Sequence, residues 1–363
     1  MRLGMVIYGS LDQQTGGYLY DRKVLEYLRT QGDHIEIISL PWRNYRQHLM
    51  DNLSHCLYRT LSELEVDLLI EDELNHPSLV YLNWLLRRNK RFPLISIVHH
   101  LRCNEVSGVE QRWFARTVEK IFLSSLDGLI CNSQTTLRSI HAILPPKNQL
   151  HLPYVIAYPG KDHLKGEITE AEIDQRAKDG ERLRLLFLGN VIPRKGLHWL
   201  IAALSTLRQF PLQLDIVGDE SRHSAYARQI HQSVERAGLR DRIRFWGSVS
   251  QGTLGRILRQ AQVLVMPSRY EGFGIAYLDG MRYGLAILAS AQGGARELIT
   301  DGREGYLIAP GDVLTLAERV QELHNDRSRL AQMGIAARKR FEAHPTWAES
   351  AAKIRQFLQS LIG

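Results

Sequence analysis

Three groups of residues in this 363-residue chain have types and spacings that suit chemistry. Arg194-Lys195-Gly196 opens on the sixth residue after an apolar run at 183–188. Two cations beside a helix start can hold a diphosphate, arginine by its planar fork and lysine as a point charge. A solvated loop would show the same pair. Glu271-Gly272-Phe273-Gly274 follows the apolar run 263–266 and Pro267, and leads into an apolar helix that carries Asp279. A carboxylate there accepts from sugar hydroxyls, and backbone N–H groups at the helix start donate to sugar or phosphate oxygens. Asp279, about two turns on, could reach a ribose. If Glu271 only capped the helix, the two glycines around Phe273 would have no reason. Gly16-Gly17 precedes a helical stretch, where a ligand can approach bare backbone closely; a plain flexible loop is the equal alternative. Glu71-Asp72-Glu73 looks like a metal-binding acidic triplet, but it closes a first-half strand and reads as acceptor-side or surface.

What is missing excludes other chemistries. No GxGxxG follows the first strand and no GxxxxGK[ST] occurs, which removes the main support for nicotinamide dehydrogenases and Walker-type NTPases. Cys56, Cys103 and Cys131 are an odd set without CxxC, which argues against a disulfide framework or a structural zinc and for a reducing cytoplasm.

The elements that must position these groups alternate. Strand-like runs stand at 3–8, 35–40, 67–71, 94–99, 128–132 and 155–158, then at 183–189, 212–217, 243–246, 263–266, 286–289 and 305–308. Helical stretches separate most of them. Runs apolar throughout, parted by helices, predict parallel sheets covered on both faces. The α/β pattern occurs twice. It predicts two doubly wound, Rossmann-like domains whose strand ends face a cleft: 1–165, a charged linker at 166–182, and 183–345. An amphipathic helix at 346–363 ends the chain.

Hydrophobic residues make up 44% and charged residues 23%, the balance of a soluble globular protein. The net charge of +7 suits a phosphorylated small molecule, a polyanion or an anionic membrane. The excess is spread over both halves, without the basic stripe of a nucleic-acid binder. The stretch from Trp84 to Phe92 mixes basic and apolar residues. It is a candidate for contact with an anionic bilayer, with a helix on the sheet and a basic turn as the favoured alternative. The first apolar run is too short for a membrane span, and polar Asp12, Gln13 and Gln14 follow it, so it does not read as a signal peptide.

The stretch from Ser268 to Gly284 resembles the acidic signature of glycosyltransferase family 4, the retaining nucleotide-sugar transferases of GT-B fold. "GNVIPRKGLHWLIAAL", "LDIVGDE", "RIRFWGSVS", "AQVLVMPS", "GLAILASAQGGARELI" and "GREGYLIAPGD" follow in that family's order. Gly16-Gly17, "ISIVHHL", "GLICNSQTTLRSI" and "VIAYPGKDH" agree in the first half. The resemblance implies a cytoplasmic hexosyltransferase, peripheral at the inner membrane face where the acceptor is lipid-linked. It implies a UDP- or GDP-sugar co-substrate, no other cofactor and no metal. The acceptor would be a glycan, lipid or small molecule, not nucleic acid. Glu271 would contact donor sugar hydroxyls, with Gly272, Phe273, Gly274 and Ile275 offering backbone. Arg194 and Lys195 would neutralise the diphosphate, Val249 would border the base, and His99 would approach the sugar or acceptor. Gly16, Gly17 and Asn190 would complete the donor site. The C-terminal helix would return to the first domain. Two positions depart from the pattern. Asp279 replaces glutamate and loses one methylene of reach, and Asn190 replaces an arginine, leaving its phosphate contact to Arg194. A silent sugar-nucleotide-binding paralogue and a GT-B nucleotide-sugar epimerase are the alternatives; the epimerase needs a different acid–base set.

Overall fold

The computed structural model describes residues 1–89, 92–106 and 108–362, with backbone only for Lys147, Asn148 and Leu150. All of the expected strands form. They are β1 (Arg2–Tyr8), β2 (His34–Leu40), β3 (Leu68–Asp72), β4 (Leu94–Val98), β5 (Gly128–Cys131), β6 (Tyr154–Ile156), β7 (Leu183–Leu188), β8 (Leu212–Val217), β9 (Ile243–Gly247), β10 (Val263–Met266), β11 (Ala286–Ser290) and β12 (Gly305–Ile308). They make two parallel six-stranded sheets, ordered β2-β1-β3-β4-β5-β6 and β12-β11-β10-β7-β8-β9. The interior strands β3, β4, β5, β10 and β11 are buried at every residue, as parallel strands roofed by crossovers must be. The edge strands β2, β6 and β9 are partly exposed.

The strand order reverses between β1 and β3 in one sheet and between β7 and β10 in the other. Loops leaving neighbouring strands diverge at such a point and open a crevice at their C-terminal ends. The parallel registers Leu3↔Leu68 and Val263↔Leu185 fix which loops meet there.

The chain divides into a first unit, Met1–Gly160 with Pro345–Gly363, and a second, Lys161–His344. The C-terminal helix Trp347–Ile362 therefore belongs with the first sheet, against helix Gly16–Thr30 and β6. Its Arg355 donates twice to Asp33, at 2.8 and 3.2 Å, and Asp33 also takes the Met1 ammonium at 2.9 Å.

The segment expected as a linker is folded into the second unit. Helix Glu170–Lys178 starts at a Thr169 capping box, and packs on helix Arg327–Glu342. Ile173 is wholly buried against Gly284 and Gly334, where any added Cβ would sit 2.2–2.8 Å from its side chain. Arg176 donates to the carbonyls of Tyr283 and Gly284 at 2.8 and 2.7 Å. Charge along the segment hid this docking, because only Ile173 and Ala177 of the helix are buried. Ile173→Ala is expected to cost about 2–5 kcal/mol in urea unfolding of the chain. A true linker would lose no more than about 0.5 kcal/mol.

Candidate active site

In the second unit, β7 and β10 bring the two expected motifs together. The loop after β7 turns at Gly196, whose φ is +71°. A Cβ there would stand 2.1 Å from the carbonyl oxygen of Pro267, so only glycine lets this loop dock on the end of β10. The Arg269 N–H then donates to the Arg194 carbonyl at 2.7 Å. From the other side Gly293 backs Glu271 so closely that a Cβ would lie 2.0 Å from its carbonyl oxygen.

Between these supports Lys195 Nζ donates to Glu271 Oε1 at 2.7 Å, and Ser268 Oγ donates to the same oxygen at 2.7 Å. Arg194 Nη1 lies 3.5 Å from Glu271 Oε2 and donates to the Tyr270 carbonyl at 2.9 Å. Burial pushes the Glu271 carboxyl upward, but the charges of Lys195 and Arg194 outweigh it and hold the group at about 2. Glu271 is therefore a carboxylate at any physiological pH, able to accept hydrogen bonds and unable to donate one. Gly272 and Phe273 lead to Gly274, and Ile275 opens helix Ile275–Arg282.

The other expected donor residues, Asp279, Asn190 and Val249, stand on helix Ile275–Arg282 and on the loops after β7 and β9. Asp279 is buried on that helix and its Oδ1 is 2.8 Å from His163 Nε2, so one carboxylate oxygen is already engaged. His163 stands in the "YPGKDH" stretch, which carried the resemblance but no role. Asn190 turns its Oδ1 toward the Asp219 N–H at 3.4 Å. Val249 is half-buried in the loop after β9.

In the first unit, His99 follows β4 and sits under the start of helix Gly16–Thr30. A Cβ on Gly17 would come 3.1 Å from its ring, so Gly16-Gly17 and His99 are brought together. His99 Nε2 meets Asp21 Oδ1 at 3.1 Å, and Tyr20 packs edge-on to the ring at 5.3 Å. Among the described residues nothing bonds its Nδ1. Glu73 Oε2 accepts from the N–H groups of His99 and His100 at 2.9 and 3.3 Å. Burial lowers the His99 pKa, but Asp21, and behind it Asp72 and Glu73, raise it to about 9. The ring is cationic at neutral pH.

The acidic triplet is not a surface feature. Glu71, Asp72 and Glu73 are 0%, 0% and 3% exposed, because β3 is an interior strand. Burial raises all three carboxyls, Glu71 to about 8, with Asp21 adding to the shift of Asp72. Asp21, Asp72 and His99 each offer a ligand atom within 4.8 Å of the others, close enough to share a cation; here a hydrogen bond joins two of them. Sequence reasoning missed Asp21. The signal was a carboxylate in the buried register Tyr18, Asp21, Leu25 and Leu28 of its helix.

A cavity of about 150 Å³ opens beside His100, with Trp42, Tyr45, His76 and Arg102 in its wall. His76 Nδ1 faces the Glu73 carbonyl at 2.9 Å, so it donates, and Nε2 accepts from the Tyr45 hydroxyl at 3.0 Å. Burial pushes His76 down to about 4, so this ring is neutral. Of the basic stretch from Trp84 to Phe92, Arg88 stacks over Trp84 at 3.8 Å, and Lys90 and Arg91 lie outside the described residues.

Residues 168–340 match the family model of glycosyl transferases group 1. That match takes in nearly all of the second unit. A GDP-mannose-dependent alpha-(1-6)-phosphatidylinositol monomannoside mannosyltransferase of Mycobacterium tuberculosis is 30% identical over 240 residues, 63% of this chain and 60% of that protein. An alpha-D-kanosaminyltransferase of Streptomyces kanamyceticus is 29% identical over 49% of this chain and 47% of its own length. The chain thus spans less than two thirds of these relatives. Sucrose-phosphate synthase from Thermosynechococcus elongatus superposes with a TM-score of 0.83 at 20% identity, over 99% of this chain and 98% of that one. HepE of Anabaena, solved with UDP and glucose, gives 0.76 at 18% identity, over 99% and 100%. The fold is GT-B. Arg194, Lys195, Glu271 and Asp279 all fall inside the group 1 match.

The His99 charge yields a pH prediction. A histidine raised to about 9 contributes stability in full below the free-imidazole value of ~6.5, and loses it as pH rises through about 9. Asp21→Asn is expected to lower the His99 pKa by about one unit or more in an NMR titration and to flatten that stretch of the stability profile. An unmoved imidazole titration would remove Asp21 as the source of the charge.

Proposed function

We propose that the chain moves a hexosyl group from a nucleoside-diphosphate sugar, UDP- or GDP-linked, to a hydroxyl of a glycan, lipid or small-molecule acceptor. In this reading the anomeric configuration is retained and no metal or further cofactor takes part. The observation that carries it is Glu271, held as a carboxylate by Lys195 and Arg194 at the head of helix Ile275–Arg282 within the group 1 match. The mannosyltransferase relative, named for GDP-mannose, makes a GDP-linked hexose the first donor to test. A lipid-borne acceptor would suit contact with an anionic membrane surface.

The chemistry follows from the charges. The donor diphosphate is drawn to Lys195 and Arg194 and to the N–H groups of Gly274 and Ile275 at the helix start, where the helix dipole favours an anion. That competition frees Glu271 to accept from sugar hydroxyls. The bond from the anomeric carbon to the phosphate oxygen breaks as the bond to the acceptor oxygen forms on the same face. The acceptor proton passes to the leaving phosphate oxygen. His99, cationic and with Nδ1 unbonded among the described residues, donates to oxygen and is not a base. Preorganised cations at the developing phosphate charge are the main source of acceleration. Asn190, Val249 and Asp279 line the nucleotide side, Asp279 with the one oxygen that His163 leaves.

Two variants separate the roles. Lys195→Ala is expected to weaken nucleoside diphosphate binding ten-fold or more by calorimetry, since a charge-assisted hydrogen bond is worth roughly 1.5–3 kcal/mol. Glu271→Gln removes the anion that competes for the same cations, so diphosphate binding should hold or tighten while transfer from the sugar nucleotide falls at least about ten-fold. Equal losses of binding and transfer in Glu271→Gln would make Glu271 a nucleotide or structural residue. No release of nucleoside diphosphate from any UDP- or GDP-sugar would sink the transfer reading itself.

A further inference from the structure

Helix Val109–Ser124 of the first unit carries an exposed apolar surface outside the two charged clusters described above. Four large apolar side chains stand out from it: Val109 at 84% exposure, Trp113 at 69%, Ile121 at 53% and Phe114 at 46%. The fold is satisfied by the opposite face, through Ala115, Val118, Phe122 and Leu123. At ~100° per residue, Val109, Trp113 and Lys120 share the outward midline, with Arg112 and Arg116 on one flank and Phe114 and Ile121 on the other. Arg112 and Arg116 donate to the backbone carbonyls of Val106 and Ala142. Among the described residues no acidic side chain pairs with Arg112, Arg116 or Lys120.

A row of exposed aromatic and aliphatic groups threaded with cations has one natural counterpart. Indole and aliphatic groups enter the boundary between head groups and acyl chains, while arginine and lysine stems lie along it with their charges among lipid phosphates. A protein partner would have to strip water from Lys120 on the midline of the patch and from two arginines on its flank, and interface cores are poor in charge. A second copy of this chain would bring three more cations to the interface against a single exposed acid of the helix, Glu110.

We propose that helix Val109–Ser124 seats the protein on an anionic bilayer. The patch borders the first-unit cavity: Phe114 meets Tyr45 edge-on at 6.3 Å, and Tyr45 lines that cavity beside Trp42. Seated this way, the chain would hold the cavity mouth near the head groups. The inference stands without the transfer reading, since it needs only the helix and its surroundings.

The test is sedimentation of the full chain with phosphatidylcholine vesicles, with and without phosphatidylglycerol. Wild type should pellet with the anionic vesicles, not with phosphatidylcholine alone, and less as salt is added. Each neutralised cation should weaken binding roughly five-fold, the equivalent of about 1 kcal/mol per basic residue at the surface. Arg112→Gln, Arg116→Gln and Lys120→Gln combined, and Trp113→Ser alone, should each lose ten-fold or more with unchanged melting. Should the triple variant melt early, single Arg116→Gln carries the charge arm. Trp84→Ser, in the other basic stretch, should bind as wild type. The proposal is overturned if the anionic vesicles leave wild type in solution, or if the variants pellet equally. It is also overturned if only Trp84→Ser releases the protein, or if Trp113→Ser abolishes a self-association seen by sedimentation velocity. A thermal shift with nucleoside diphosphate, run on the same variants, reports on the second unit separately. Its absence counts against the transfer reading and leaves the vesicle result standing.

Discussion

A carboxylate almost wholly removed from water keeps its charge only where cations are carried to it. Glu271 is 6% exposed, and the arrangement of the second unit answers that requirement. Its cations come from a loop some 76 residues earlier in the chain. They can meet it because β7 and β10 are neighbours at the point where strand order reverses. Two contacts that admit no Cβ, Gly196 on Pro267 and Gly293 on Glu271, bring the loops to hydrogen-bonding distance. The ion cluster is a consequence of the sheet order as much as of the residues in it.

The first unit uses the same topological place with the opposite charge balance. Asp21, Asp72 and Glu73 crowd around one buried imidazole. Burial pushes the Asp72 and Glu73 carboxyls upward, Asp21 adds to the shift of Asp72, and the nearby imidazoles pull both back down. One crevice is thus built around an anion held by cations, the other around a cation held by acids. A reaction that builds negative charge on a leaving phosphate calls for the first of these. The second explains why His99 is a donor at neutral pH despite its burial.

Two helices, one near the start of the second unit and one that ends the first unit, hold distant parts of their own units together. Helix Glu170–Lys178 inserts Ile173 between two glycines that would each need to move to accept a side chain. The C-terminal helix brings Arg355 to Asp33, which the chain's own N-terminus also engages. Trp347 from that helix packs edge-on to Tyr20 at 5.6 Å, and Tyr20 packs in turn on His99. The last segment of the chain therefore supports a site residue from the opposite end of the sequence.

The strands were legible in the sequence because interior parallel strands must be apolar throughout, and that pattern survives without neighbours to interpret it. Arg194, Lys195 and Glu271 stood out in the sequence because they lie close to glycines just after strands, although a solvated loop would show the same Arg-Lys pair. Their union in one ion cluster was not legible, because it depends on which strands lie side by side. Asp21 was hidden in a helical register that normally signals core, and its meaning appears only once His99 is brought beneath that helix. The acidic triplet read as acceptor-side or surface because local sequence cannot say that β3 is an interior strand. The charged segment 166–182 read as a linker because two buried side chains leave little apolar signal; what docks it is a pair of glycines over a hundred residues away. Exposure of Trp113 was equally invisible, since a tryptophan in an amphipathic helix reads as core until the buried face is known. Composition and local pattern thus determined the elements and the chemistry each could offer. Only tertiary structure decided which charges meet, because burial and pairing are properties of neighbours in space and not of neighbours in the chain.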